Sequence, residues 1–308
     1  MLTLGLDIGG SSVKAALLAD GRPGPVARSD VYDQPDRAAL TLAMGQAAAS
    51  VLEGVALTVD RIGLCAPGLL DRGQMAITKS INLPGIVGMP LGELVASAVE
   101  EAGHVHAPHR LALVTSDAHA TAYDLYATEG LQGRLLCLAL GTGVGGAVLD
   151  DGVPLHISGE TPGHLGHLDV CLDEHPPAGP DGSRGTLESY IGLRALLRSR
   201  AIAMPEAPVS APGAAPDAAG EPSFDAAAME PPLRALARAL RICHAVYRPQ
   251  HVRLAGGVGV RLGPFLPRLR ALVEPGLTSL ARTGWTLGCG GDDFHAARGV
   301  ARLAGGTG

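Results

Sequence analysis

The pattern that most restricts the fold of this chain is an apolar strand that turns on glycines and hydroxyls and then resumes as a second strand. It occurs first as Leu4-Gly5-Leu6-Asp7-Ile8-Gly9-Gly10-Ser11-Ser12-Val13-Lys14, continuing into Ala15-Ala16-Leu17-Leu18. It returns at residues 135–149, where Leu135 to Leu140 run into Gly141-Thr142-Gly143-Val144-Gly145-Gly146 and on through Ala147-Val148-Leu149. Each copy reads as strand, tight turn, strand. Glycines let a turn approach a ligand closely, so its N–H groups can face an anion. Asp7, at a strand end, can hold Mg²⁺ through water, and Lys14 can add a point charge. The same residues also suit a plain hairpin with a glycine turn and no ligand.

Between and after the hairpins, strands alternate with helices. Turn and further strand are expected over Gly21–Pro35, one strand over Leu57–Val59 with Arg61–Ala66, and others at Leu111–Val114 and Val252–Ala255. Helices are expected over 37–53, 90–101, 118–129, 185–200, 226–247, 263–280 and 292–303, with the aspartates of the last favouring its N-terminus. Residues 203–223, rich in Ala, Pro and Gly, read as a flexible low-complexity loop. This is an α/β pattern, in which ligands gather at the carboxyl ends of strands. The recurrence predicts two similar half-folds facing one cleft. The expected halves are 1–115 and 116–292, with 293–308 packing back on the first. The 308 residues suffice for two full cores.

Charge and cysteine usage exclude several classes. A net charge of −6 without a basic run argues against nucleic acid. No segment reaches the ~20 apolar residues that span a bilayer. The chain enters a strand at once, without a leader-like segment. Its five cysteines are scattered and contain no CxxC, so a disulfide framework is not expected. A reducing cytoplasm is the expected compartment.

Taken together, these motifs resemble the ROK family, bacterial sugar kinases and sugar-responsive repressors on the actin/hexokinase-like (ribonuclease H-like) ATPase fold. The resemblance runs nearly end to end. Asp7-Ile8-Gly9-Gly10-Ser11-Ser12-Val13-Lys14 is similar to the family's first phosphate motif, and Gly141-Thr142-Gly143-Val144-Gly145-Gly146 to its second. Pro67-Gly68 and Asn82-Leu83-Pro84-Gly85 resemble two sugar-side loops. Ser116-Asp117-Ala118-His119-Ala120 stands where the family has Asn-Asp-Ala-Asn-Ala. Gly163-His164-Leu165-Gly166-His167 falls on Gly-Glu-x-Gly-His, Gly185-Thr186-Leu187-Glu188 on the end of the cysteine motif, and Leu254-Ala255-Gly256-Gly257-Val258 on the adenosine loop.

The resemblance implies a two-domain fold with an interdomain cleft and ATP-dependent phosphorylation of a hexose or N-acetylhexosamine. It implies Asp117 as general base. Gly68, Asn82, Ser116, His164, His167 and Glu188 fall on the sugar side. Asp7, Gly9, Gly10, Ser11, Lys14, Gly141, Thr142, Gly143, Gly256 and Gly257 fall on the nucleotide side. ATP and Mg²⁺ are the implied cofactors, with polyphosphate an alternative donor. A small-molecule sugar and a second copy of the chain are the implied partners. Without the surrounding motifs, Asp117 reads first as a helix N-cap, and the two roles are compatible.

The sequence also departs from the family pattern. Ser116 replaces the usual asparagine and His164 the usual glutamate. The zinc motif's three cysteines fall on Gly179, Asp181 and Thr186, so that zinc site is not expected. His167, Cys171 and His175 recur at every fourth residue and could face one way on a strand. With His164 or Asp173 they offer a substitute metal site, against the plain reading of a buried Cys171. Drifted sugar-side residues beside intact phosphate motifs favour a kinase with altered sugar preference. The alternative is a non-catalytic or weakly catalytic sugar-binding regulator lacking a DNA-binding domain.

Overall fold

Both glycine hairpins form, and each starts a five-stranded sheet. The computed structural model describes residues 1–55, 58–71, 75–80, 83–102, 111–157, 162–171, 173–203, 223–282 and 284–306. The first half contains β1 (Leu2–Ile8), β2 (Val13–Ala19), β3 (Arg22–Arg28), α1 (Arg37–Leu52), β4 (Arg61–Cys65), β5 (Leu69–Asp71), β6 (Ala76–Lys79), α2 (Leu91–Glu101) and β7 (Leu111–Thr115). There follow α3 (Asp117–Thr128), β8 (Arg134–Leu140), β9 (Val144–Asp150), β10 (Val153–Pro154), α4 (Leu187–Ile191), α5 (Leu193–Arg198), β11 (Ile202–Ala203) and β12 (Ser223–Phe224). The chain closes with α6 (Glu230–Tyr247), β13 (His251–Ala255), α7 (Gly256–Gly259), α8 (Leu266–Val273), α9 (Ser279–Arg282), β14 (Thr286–Cys289) and α10 (His295–Gly305).

The two large sheets repeat one topology. Their orders are β3-β2-β1-β4-β7 and β10-β9-β8-β13-β14. In each, the first three strands of that order pair antiparallel and the last three run parallel to one another. Asp7 stands opposite Lys14 in the first hairpin, and Leu140 opposite Val144 in the second. The two sheets therefore share their strand order, on an actin-like α/β architecture.

β1 is buried along its whole length because both faces are covered. Leu2, Leu4, Leu6 and Ile8 point into the core beneath α1 and α2. α1 presents Leu40, Met44, Ala47 and Val51 to that core at helical spacing, and Asp36 caps it by accepting the Ala39 N–H at 2.8 Å. On the opposite face of the sheet, Ala16 and Leu18 of β2 meet Ala297 and Ala301 of α10. The second sheet is built alike. Leu136, Leu138 and Leu140 of β8 face the core of α6, and Leu135, Cys137 and Ala139 face α3.

Thus α10 and α3 lie side by side between the sheets, in contact with each other. Gly299 makes that contact close: a methyl group there would overlap the Ala120 carbonyl oxygen of α3. Ala296, Val300, Ala120 and Cys65 fill the rest of the seam. Asp124 of α3, fully buried, accepts from His295 Nδ1 at 2.7 Å and from Arg302 Nε at 2.8 Å. Burial alone would raise its pKa, but those hydrogen bonds outweigh burial and hold it below the ordinary carboxylate value.

Several expected elements differ. The helix expected over 263–280 is broken: Pro264 sits in a 3₁₀ turn ending at Phe265, and Pro275 in another after α8. Proline lacks the donor that a continuous helix requires. The helix expected over 185–200 divides at Gly192 into α4 and α5. No strand covers 58–60, and residues 56–57 lie outside those described. β14 and the β5–β6 hairpin were not expected. Residues 204–222 of the expected flexible loop lie outside those described. Among the described residues, no helix is long and apolar enough to cross a membrane.

Replacing Gly299 by alanine tests the helix seam. On an isolated helix the change favours folding by about 1 kcal/mol. Here overpacking against Ala120 is expected to reverse the sign, for a net loss of about 1–3 kcal/mol in urea unfolding.

Candidate active site

The turn after β1 and the turn after β8 meet across a cleft of about 1030 Å³. A methyl group on Gly10 would stand only 2.5 Å from Thr142 Oγ1, so a side chain there would force Thr142 to shift where the turns touch. Each turn is braced. Gly9 N–H donates to the Ser12 carbonyl at 3.0 Å, and the Tyr32 hydroxyl donates to the Gly9 carbonyl at 2.6 Å. Gly141 N–H donates to the Gly143 carbonyl at 2.9 Å, and Leu193 N–H to the Gly141 carbonyl at 2.9 Å. Glu188 Oε2 accepts the Val144 N–H at 2.8 Å, tying α4 to the second hairpin.

The cleft brings together most of the residues singled out in the sequence. Asp7, Gly9, Gly10, Ser11 and Lys14 line it from the first hairpin. Gly141, Thr142 and Gly143 line it from the second, and Gly256 and Gly257 from the end of β13. Asp117, Gly68 and Glu188 complete the set.

Its floor is a charge cluster. Lys14 Nζ lies 3.6 Å from Asp7 Oδ2 and 3.7 Å from Asp293 Oδ2, with all three side chains largely buried. Burial raises the Asp7 pKa to about 6, against the pull of Lys14 and with help from the charges of Asp117 and Asp293. Asp117 opens onto the cleft at the first position of α3, and its Oδ1 accepts the Ala118 N–H at 2.7 Å. Although its side chain reaches cleft solvent, protein crowds around it. That partial desolvation pushes its pKa up against the Ala118 hydrogen bond and Lys14. The N-cap is Ser116, not Asp117: Ser116 Oγ accepts the His119 N–H at 3.2 Å.

Some sugar-side residues are not brought into the cleft lining. Ser116 is committed to its cap. His164 and His167 are exposed at a 3₁₀ turn, Leu165–His167, because Leu165 anchors that turn by packing over Gly146 of β9. The two imidazoles face each other at 5.7 Å, and His167 Nδ1 lies 3.8 Å from Asp181. Asn82 lies outside the described residues. The strand that would align His167, Cys171 and His175 does not form. Cys171 and His175 lie in irregular backbone, and the Cys171 thiol donates to the Asp173 carbonyl at 3.0 Å. Among the described residues, no group of three or more His, Cys, Asp or Glu side chains is arranged to hold a metal ion.

Among the cleft residues missed in the sequence are Asp293, Arg28 and Arg261. Arg28 on β3 donates to Asp293 Oδ2 and, at 3.2 Å, to Ser12 Oγ. The signal for Asp293 is Gly290-Gly291-Asp292-Asp293, whose aspartates read as the first turn of a helix that in fact begins at His295. Recognising β14 just before it would have placed the acid at a strand end.

The family model described as ROK family matches residues 3–306. Among curated relatives, the chain is 27% identical over 198 residues to an N-acetylmannosamine kinase of Escherichia coli (strain SMS-3-5 / SECEC). That match covers 64% of this chain and spans 63% of the relative's length. Among solved structures, a ROK family glucokinase from Streptomyces griseus in complex with glucose and AMPPNP superimposes with a TM-score of 0.73 at 23% identity, covering 99% of this chain and 100% of that one. A ROK family transcriptional regulator, a homologue of the E. coli MLC protein, superimposes with a TM-score of 0.68 at 16% identity, covering 98% of this chain and 78% of that one.

The raised pKa of Asp7 has a thermodynamic consequence. A carboxyl held near 6 in the fold and near 3.8 in the unfolded chain costs stability as pH rises through that window, and the full cost is present above it. Asp7→Asn removes the cost. The variant is expected to exceed the parent in stability at pH 8 by up to about 3 kcal/mol, and to match it at pH 4. Thermal unfolding of the ligand-free proteins across that range checks both.

Proposed function

We propose that this chain, which belongs to the ROK family, transfers the γ-phosphoryl group of ATP to a hydroxyl of a hexose or N-acetylhexosamine, with Asp117 as general base. The observation that carries this reading is the meeting of two glycine turns over one cleft that also receives Asp7, Lys14 and Asp117. Turns of this kind suit a phosphate chain, since their backbone can approach it closely and a lysine adds charge. The proposal includes the division into halves 1–115 with 293–308, and 116–292, with the donor held between them.

In this reading Asp117 accepts the proton of the sugar hydroxyl as its oxygen bonds to the γ-phosphorus. The bond from that phosphorus to the bridging oxygen breaks, and its electron pair leaves with ADP. A carboxylate whose pKa is pushed up is a stronger proton acceptor than an ordinary one. Lys14 and the turn backbone face the charge on the phosphate oxygens. The donor set suits Mg²⁺, which keeps several waters and is typically held by one or two carboxylates plus substrate phosphates. Asp7 would hold it through water. When bound, the ion neutralises phosphate charge.

A sugar-binding regulator without turnover is the second reading. It draws support from the exposed positions of His164 and His167, outside the cleft lining. A coupled ADP-release screen over glucose, mannose, fructose, allose, N-acetylglucosamine and N-acetylmannosamine separates the two. Turnover is expected on at least one sugar, and Asp117→Asn is expected to lower kcat by about 10²–10⁴-fold with little change in sugar KM. No turnover on any sugar, or turnover unaffected by the substitution, overturns the proposal.

A further inference from the structure

The fully buried Asp124 takes no part in the mechanism above, yet it joins the two sides of the cleft. It lies two turns along α3 from Asp117, on the same helix. Its Oδ2 receives His295 Nδ1 at 2.7 Å and Arg298 Nε at 3.3 Å, and its Oδ1 receives Arg302 Nε at 2.8 Å. Three donors from α10 thus converge on one carboxylate of α3.

His295 differs from the two arginines because its second nitrogen is also engaged. His295 Nε2 accepts the Gly291 N–H at 3.1 Å. One neutral tautomer satisfies both contacts: Nδ1 carries the proton toward Asp124, and Nε2 offers its lone pair to Gly291. Gly291 belongs to the turn that carries Asp293. Asp293 in turn faces Lys14 at 3.7 Å, and Lys14 faces Asp7 at 3.6 Å. His295 itself borders the cleft. A continuous path therefore runs from the helix of Asp117, through Asp124 and His295, to the turn that steadies Lys14.

We infer that His295 is a positioning residue that fixes the 290–293 turn, and through Asp293 the Lys14 ammonium, in register for the nucleotide phosphates. The inference rests on the reading that this cleft takes ATP. It assigns His295 no contact with the reacting atoms. Its effect passes through one hydrogen bond to a backbone amide, so a partial mimic of the imidazole should separate its two roles.

The experiment compares His295→Asn and His295→Gln with the parent. Asparagine keeps a donor at about the place of Nδ1 but offers Gly291 no acceptor. Glutamine reaches about as far as Nε2 and can accept from Gly291. Amide hydrogen exchange over 290–294 and the calorimetric Kd for AMPPNP are measured, with thermal unfolding as the control. His295→Asn is expected to speed exchange at Gly291 and weaken AMPPNP about tenfold, the effect of losing one hydrogen bond. His295→Gln is expected to restore both. Parent-like exchange and Kd in His295→Asn overturn the inference, as does a uniform loosening of α10 in both variants, which marks a purely structural role. If the parent binds no AMPPNP, the ATP reading fails first. If the parent binds and His295→Asn binds equally, the inference alone fails.

Discussion

The architecture depends on two helices being able to cross at close range between two sheets. α10 lies against β1, β2 and β4, and α3 lies against β8 and β9. Small residues make this possible. Gly5 of β1 and Gly63 of β4 leave room for the backbone of α10, and Gly299 leaves room for the backbone of α3. Larger side chains would push the sheets apart and draw the two turns out of contact. Interiors are close-packed, so such a change is not absorbed locally. The meeting of Gly10 with Thr142 is the visible result, at the far end of the same layer.

Burial in that layer also sets the electrostatics of the cleft. Asp7, Asp117 and Asp293 converge on Lys14, with Arg28 beyond it. Burial, opposed by Lys14 and aided by the charges of Asp117 and Asp293, is why Asp7 holds its proton to about pH 6. A site that brings in cationic charge with its ligand relieves the repulsion among these carboxylates. The cluster is therefore costly to the fold and suited to binding, a combination common where groups are arranged for chemistry. Asp124 shows the opposite case: equally buried, it is fully paired and its carboxylate is favoured.

Much of this was legible in the sequence because the signals are local. A strand, a glycine turn and a second strand occur within a dozen residues, and their repetition gave the paired sheets. Asp117 was legible as an acid between an apolar strand and an Ala-rich helix, but only the resemblance marked it as more than a cap. What escaped was either short or non-local. Thr286-Leu287-Gly288-Cys289 is too brief and too glycine-weakened to announce β14. Asp124 and His295 are far apart along the chain, and only the crossing of α3 with α10 brings them together. The placement of His164 and His167 depended on which residue of their turn is anchored. Leu165, not either histidine, is the one that packs inward.

The central claim is geometric: the two glycine turns hold one phosphate chain, with Asp117 facing the acceptor. A crystal structure with AMPPNP and the sugar that turns over best tests it most directly. The account predicts β- and γ-phosphates between the Gly10 and Thr142 turns, and a sugar hydroxyl within about 3 Å of the Asp117 carboxylate. Phosphates bound away from either turn, or a sugar with no hydroxyl near Asp117, would contradict it.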